Sequence, residues 1–253
     1  MKNENPDKKY QDRVILFIDL LGFKNAVNGS VYSDELFAKV MRAVNSLYKA
    51  KGDNYNGSMK GTEIGVEIST FSDSLVISKD IYEPGSFYYL LNMAYFAIIE
   101  IVASGFVARG AITVEKLYHD EKVIFGPAIN DAYVLESKCA IYPRVIVQKD
   151  VVEKMLLKDH FNEIEEERRW YEKLLKEDED GLLFVDFLTP NHQFDDFEAY
   201  CWLLGQTKKI IQEGLNSNID ESVKQKYIWL KTYFNKTLEL LDADNEMLPT
   251  KIM

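Results

Sequence analysis

The run RVILFID, Arg13–Asp19, is almost continuously apolar, reaches a carboxylate, and is followed by Leu-Leu-Gly-Phe. A short apolar run without alternation is a strand buried on both faces. The chain must therefore build layers on both sides of its first strand. An acid where that strand ends has two readings. A lone aspartate there is more often a helix cap or turn residue, and less often a metal ligand.

Ser33-Asp34 then opens an amphipathic helix carrying Leu36, Phe37, Val40, Met41, Val44, Leu47 and Tyr48 on one side. KGDNYNGSMKG reads as a loop. GVEIST and SLVIS read as two strands of a hairpin joined across Phe71-Ser72-Asp73. A second helix starts at Pro84-Gly85-Ser86 and stops at Gly105. FVARGAITV and KVIF follow as partner strands, GPAINDAYVLESK as a short helix, and RVIVQ as a further strand. The outline is β-α-β-β-α-β, an α+β, ferredoxin-like arrangement. From about Glu163 a charged helix, EIEEERRWYEKLLKEDED, precedes a strand, LLFVDFL, and helices at roughly Asp195–Glu213 and Ile219–Leu241. The division expected is a catalytic-type core over 1–150 and a helical C-terminal extension over 151–253 packed on it.

Length and composition fit this plan. The 253 residues are 47% hydrophobic and 28% charged, enough to fill a real core. The opening MKNENPDKKYQD is polar and charged, so no secretory leader is expected there. Leu90–Val102 carries Asn92 and Glu100 and is too short to span a bilayer, which makes it a buried helix. Cys139 and Cys201 match neither a disulfide framework nor a zinc spacing, and a cytoplasmic location is expected. A net charge of −11 opposes long nucleic acids as partners but leaves room for a small phosphorylated ligand. His119, His160 and His192 fit no metal or catalytic motif and read as surface or loop residues. Tyr88, Tyr95 and Phe96 read as packing rather than a ligand cage.

Asp19 and Asp73 lie on elements that a ferredoxin-like sheet makes neighbours, so their carboxylates can converge at one edge. Two hard oxygen ligands there suit Mg²⁺ or Mn²⁺, with phosphate oxygens completing the shell. Gly22 allows a tight turn, and amides at the start of the next helix can face an anion.

The motifs FIDLLGF, STFSDSLVIS, VARGAIT and FGPAINDAYVLES, in this order, resemble those of the class III nucleotide cyclases over about Arg13 to Gln148. The resemblance implies that Asp19 and Asp73 bind two divalent cations, Mn²⁺ or Mg²⁺, with the Leu20 carbonyl as a further ligand. It implies that backbone amides of Leu21, Gly22 and Phe23 cradle the triphosphate. Asn130, supplied by the partner protomer of a homodimer with shared active sites, would position the ribose.

The departures matter as much. The family's transition-state arginine falls on Val134, so another cation is needed. Arg109 and Arg144 are the candidates, and Arg109 is the better placed, because an unpaired charge within an apolar strand would be costly. The two positions that read a purine in this family fall on Ser69 and Val123, which removes the purine signature without specifying a pyrimidine. Val114-Glu115 stands where a glycine is expected.

Together with AIYPRVIV and YIWLKTYFN, the motifs look most like the bacterial pyrimidine cyclases of the Pycsar antiphage systems. That resemblance implies a lyase converting UTP to cyclic UMP and pyrophosphate, the product acting on a separate effector in antiviral defence. The next choices are CTP, then a purine cyclase or an inactive nucleotide-binding regulator.

Overall fold

The computed structural model describes residues 9–50, 65–158, 164–190, 196–217, 220–241 and 245–253. In chain order the elements are β1 (Gln11–Leu21), α1 (Phe23–Ser30), α2 (Asp34–Ala50), β2 (Glu67–Phe71), β3 (Ser74–Asp80), α3 (Ser86–Ala103), β4 (Val107–His119) and β5 (Ile124–Phe125). They continue with α4 (Pro127–Lys138), β6 (Val145–Val147), α5 (Lys149–Leu156), α6 (Ile164–Leu174), β7 (Leu175–Glu177), β8 (Leu183–Val185), α7 (Phe197–Asn216) and α8 (Glu221–Leu238).

β1 is the centre of the sheet, and Val14 to Ile18 are buried on both of its faces, as the apolar run requires. β3 and β4 flank it, both antiparallel, and β2 pairs antiparallel outside β3. The order β2-β3-β1-β4, with helices between β1 and β2 and again between β3 and β4, is the ferredoxin-like arrangement expected from the sequence. On one face, Val14, Leu16, Ile18 and Leu20 pack with Leu75, Ile77 and the apolar helix α3. α3 has the length and composition of a membrane span, yet Phe87, Leu90, Leu91, Ala94, Tyr95, Ile101 and Val102 are sealed in this core. Each fully buried Leu, Ile or Phe contributes about 1.5–3 kcal/mol, so α3 is the main anchor of that layer. The opposite face holds Ile15, Phe17 and Val76 under Leu117 and α4's Ala128 and Ala132. β4 is thus long enough to bend across this second face.

The sheet continues beyond β4 through β6, β8 and β7. Two of its strands therefore come from beyond residue 150, and the C-terminal part shares the core's sheet. β1 does not end at Asp19 but runs on to Leu21. The charged helix stops at Leu174, and Leu175–Glu177 becomes a strand, because the Asp178–Gly181 turn folds it back onto β8. α1 and α5 were not anticipated. The segment read as the KGDNYNGSMKG loop, together with His160 and His192, lies outside the described residues. His119 is no surface residue: it is 8% exposed at the end of β4.

Arg144 is the largest fully buried side chain. Its guanidinium is held by Asp178 and Asp180 and lies against the rings of Tyr142 and Trp229. A buried guanidinium with both terminal nitrogens on carboxylates ties the β7–β8 turn and α8 to the sheet.

Candidate active site

Asp19 stands opposite Ser74 on β3 and opposite Arg109 on β4. Residues in register on adjacent strands share one face, and both neighbours reach the carboxylate. The Ser74 hydroxyl donates to Asp19 Oδ1 at 3.2 Å, and Arg109 Nη2 lies 3.6 Å from Oδ2. Asp19 makes no helix cap. α1 begins after Gly22, which stands at φ +80° with no side chain capping the first turn. Only glycine adopts that conformation cheaply, and it leaves the first-turn amides of α1 uncapped beside Asp19.

Asp73 sits in the two-residue turn between β2 and β3, where Ser72 takes φ +53°. The Leu20 amide donates to the Asp73 carbonyl at 3.2 Å, which ties this turn to the strand that carries Asp19. Asp19's carboxyl is pushed above the usual carboxylate range by burial and then by the charge of Asp73, against the opposing pull of Arg109 and Ser74. The two carboxylates are close enough to repel, and a cation between them would relieve that repulsion. Among the described residues no group of three or more His, Cys, Asp or Glu comes together as a metal site. The donor set is therefore two carboxylates plus backbone oxygen, all hard. It fits Mg²⁺ or Mn²⁺ when phosphate oxygens and water complete the shell, and does not fit a closed zinc site.

Arg109 is not a free cation. Its Nε bears on Glu136 of α4, which is only 2% exposed, so the guanidinium is shared between two carboxylates. Glu136 is raised above its usual range by burial and by Asp19, against the pull of Arg109. Lys226 of α8 belongs to the same field. Burial and the charge of Arg109 lower its pKa, and Glu136 and Asp19 oppose the shift. Sequence reasoning missed both residues. Glu136, an acid on the sheet-facing side of a predicted helix, carried the one available signal. Lys226 carried none.

Ser69 lies on β2 opposite Val76, on the same face as Asp19 but nearer the far end of β4. Its Oγ is 2.9 Å from His119 Nε2. Val123 is half exposed in the β4–β5 turn, where the Asp120 carboxylate accepts from the amides of Lys122 and Val123. His119 pairs with Ile124, and no described contact joins Val123 to Ser69. Asn130 is exposed near the start of α4, its amide donating to the Gly126 carbonyl, and no described contact joins its side chain to Asp19. Tyr133 and Val134, on the same helix, are exposed. Arg144 is committed to its own buried cluster and does not join the Asp19 group.

No protein-family profile matches the chain, and no curated protein is significantly similar to it. Among solved structures, the catalytic core of a rhodopsin-guanylyl cyclase with converted specificity, in complex with ATPαS, matches at 20% identity over 58% of this chain and 81% of that one, with a TM-score of 0.39. A bacterial light-regulated adenylyl cyclase matches at 13% identity over 58% and 80%, also with a TM-score of 0.39. An adenylate/guanylate cyclase/hydrolase from Silicibacter pomeroyi matches at 14% identity over 70% and 98%, with a TM-score of 0.37. Likenesses this distant assign no residue of this chain a role.

Proposed function

We propose that this chain is a nucleotide cyclase of the class III type that closes a pyrimidine nucleoside triphosphate, UTP first and CTP next, into its 3′,5′-cyclic monophosphate. The observation that carries the reading is the placement of Asp19 and Asp73. They are two mutually repelling carboxylates toward one end of the β1–β3 pair, next to an uncapped helix start. The four motifs in the cyclase order, FIDLLGF, STFSDSLVIS, VARGAIT and FGPAINDAYVLES, support the same reading.

In the reaction the ribose 3′-hydroxyl gives up its proton to solvent water, its oxygen bonds to the α-phosphorus, the bond from that phosphorus to the α–β bridging oxygen breaks, and pyrophosphate leaves. Two divalent ions, Mn²⁺ or Mg²⁺, held by Asp19, Asp73 and the Leu20 carbonyl would lower the pKa of the 3′-hydroxyl and screen the leaving pyrophosphate. The chain's own groups do the rest. Amides of Leu21, Gly22 and Phe23 receive phosphate oxygens at the positive end of α1. Ser74 and Arg109 hold the Asp19 carboxylate in place. Arg109 and Lys226 add positive charge beside Asp19, in partial compensation for Val134. Ser69 and Val123 face the base. Asn130 reaches the ribose from the partner protomer of a homodimer, which accounts for its separation from Asp19 within one chain.

The remaining parts of the reading follow from the resemblance to the Pycsar pyrimidine cyclases. The enzyme is cytoplasmic, and its cyclic nucleotide is a signal in antiphage defence that switches on a separate effector. Residues 1–150 form the catalytic core, and residues 151–253 form an extension that supplies Lys226. Incubation with each of the four nucleoside triphosphates and Mn²⁺, with products identified by mass spectrometry, tests the reading. Cyclic UMP is the expected product. Cyclic AMP or GMP alone would move the assignment to the purine class, and no cyclic product would leave an inactive nucleotide-binding regulator.

A further inference from the structure

A chain of four polar side chains crosses the α4-facing side of the sheet. Arg13 on β1 is 3% exposed, and its Nε donates to Ser78 Oγ on β3 at 2.9 Å. Ser78 is fully buried, and its Oγ is 2.8 Å from His119 Nδ1. His119 Nε2 is 2.9 Å from Ser69 Oγ on β2. The polarity of this chain is set at its first member. A guanidinium can only donate, so Ser78 Oγ accepts from Arg13 and must place its own hydrogen elsewhere. A buried hydroxyl hydrogen needs an acceptor, and His119 Nδ1 is the one in reach. With Nδ1 accepting, the ring proton of the neutral imidazole lies on Nε2 and is donated to Ser69 Oγ. Ser69 Oγ has no other partner among the described residues, so its hydrogen remains to be given outward.

We propose that the Arg13–Ser78–His119 relay fixes Ser69 as a hydrogen-bond donor that reads a carbonyl oxygen of the nucleotide base, and so selects uracil. The ligand's identity rests on the cyclase reading; the direction of the relay does not. From Asp19 to Ser69 is two strands across and two residues along, roughly 12 Å by sheet geometry, a span that a nucleotide can bridge from metal-bound phosphates to base edge. The two exocyclic groups of uracil are both carbonyls. Cytosine and guanine each carry one carbonyl and one amino group, and adenine carries only an amino group. A donor whose direction is locked from behind meets an acceptor on uracil at either group and a competing donor on adenine. An amino group facing Ser69 would leave the serine's buried hydrogen without an acceptor. A serine without His119 behind it could give that hydrogen back to the histidine's place and accept from an amino group, and discrimination would be lost. His119 is therefore a positioning residue and Ser69 the residue that reads the base. A fixed donor at this place also explains how the chain can select a base with neither of the family's purine-reading side chains.

Two measurements test this. The first is the ¹⁵N NMR spectrum of histidine-labelled protein without nucleotide, with the His119 signals assigned by their loss in His119→Gln. An unprotonated Nδ1 and protonated Nε2 are expected, and a protonated Nδ1 overturns the relay whatever the protein's activity. The second is equilibrium binding of the 3′-deoxy forms of UTP, CTP, GTP and ATP, which cannot cyclise. Wild type should bind the uridine form tightest. His119→Phe and Ser69→Ala should each weaken it about tenfold, with pyrophosphate binding unchanged. Ser69→Thr, which keeps the hydroxyl, and His119→Gln, which keeps one donor and one acceptor, should retain the preference. If His119→Phe and Ser69→Ala, both shown folded by their melting curves, keep the wild-type ranking within twofold, the proposal fails. No nucleotide binding by wild type also defeats it. Uridine-selective binding without cyclic product would instead sink the cyclase reading and leave the relay standing.

Discussion

Asp19 and Arg109 face each other across the β1–β4 ladder with 3.6 Å between carboxylate and guanidinium, and the same guanidinium bears on Glu136 of α4. One arginine thus links the aspartate of the proposed metal site to the helix that carries Asn130. Arg109 is only a quarter exposed and Glu136 almost wholly buried, so the pair is screened little by solvent.

Removing Glu136 should therefore be costly. Glu136→Ala leaves a partly buried guanidinium with one distant partner, and a loss of roughly 2–4 kcal/mol is expected in urea denaturation. Glu136→Gln, which keeps an acceptor for Arg109, should lose less than half of that. Equal losses in the two variants would mean that packing, not the ion pair, sets the cost.

Gly22→Ala tests the turn between strand and helix. A Cβ there meets nothing within 4 Å, so only the left-handed φ of +80° opposes it. The stability cost should be about 1–2 kcal/mol, while the KM for nucleotide should rise several-fold as the first-turn amides shift. A raised KM without any fall in melting temperature would place the effect in the ligand contact rather than in the turn.

Arg144 makes the opposite prediction to Arg109. Arg144→Met should lower stability while leaving kcat/KM per folded molecule unchanged, since its partners are Asp178, Asp180 and the Tyr142 and Trp229 rings. A hundredfold fall in kcat/KM at full folding would restore it as a catalytic candidate.

The same cluster predicts an acid limb. Burial raises Asp180, but hydrogen bonding from Arg144 and the Leu182 amide outweighs it and holds the carboxyl below its usual range. A carboxyl depressed in the folded state contributes stability above its unfolded pKa of about 3.9 and loses it as pH falls through the folded value. Melting temperatures followed downward from pH 5 should therefore fall less steeply in Asp180→Asn than in wild type. Superimposable slopes would remove Asp180 from the acid response.

Much of this was legible in the chain itself. The apolar run around Ile15–Ile18 dictates a doubly covered strand, and GVEIST with SLVIS dictates a hairpin, so the placement of Asp19 and Asp73 on adjoining elements follows from pattern alone. Periodicity does not reveal long-range partners. Glu136 and Lys226 lie far from Arg109 in sequence. The sheet-facing place of Glu136 on its helix marks an acid that needs a partner, but does not say that the partner is Arg109, and Lys226 carries no mark at all. His119 read as a surface residue because the bending of β4 over the sheet, which buries it against Ser69 and Ser78, leaves no period in the sequence. The short β7 was hidden within a charged stretch whose helix-forming residues are overridden by pairing with β8.

The most direct measurement is Mn²⁺-dependent conversion of UTP, followed by mass spectrometry in wild type, Asp19→Asn and Asp73→Asn side by side. The account predicts cyclic UMP and pyrophosphate from wild type, neither from the two variants, and melting temperatures without metal that are no lower in the variants, since each removes one of two repelling charges. Cyclic UMP formed at comparable rates by either variant, or by none of the three proteins, would contradict it.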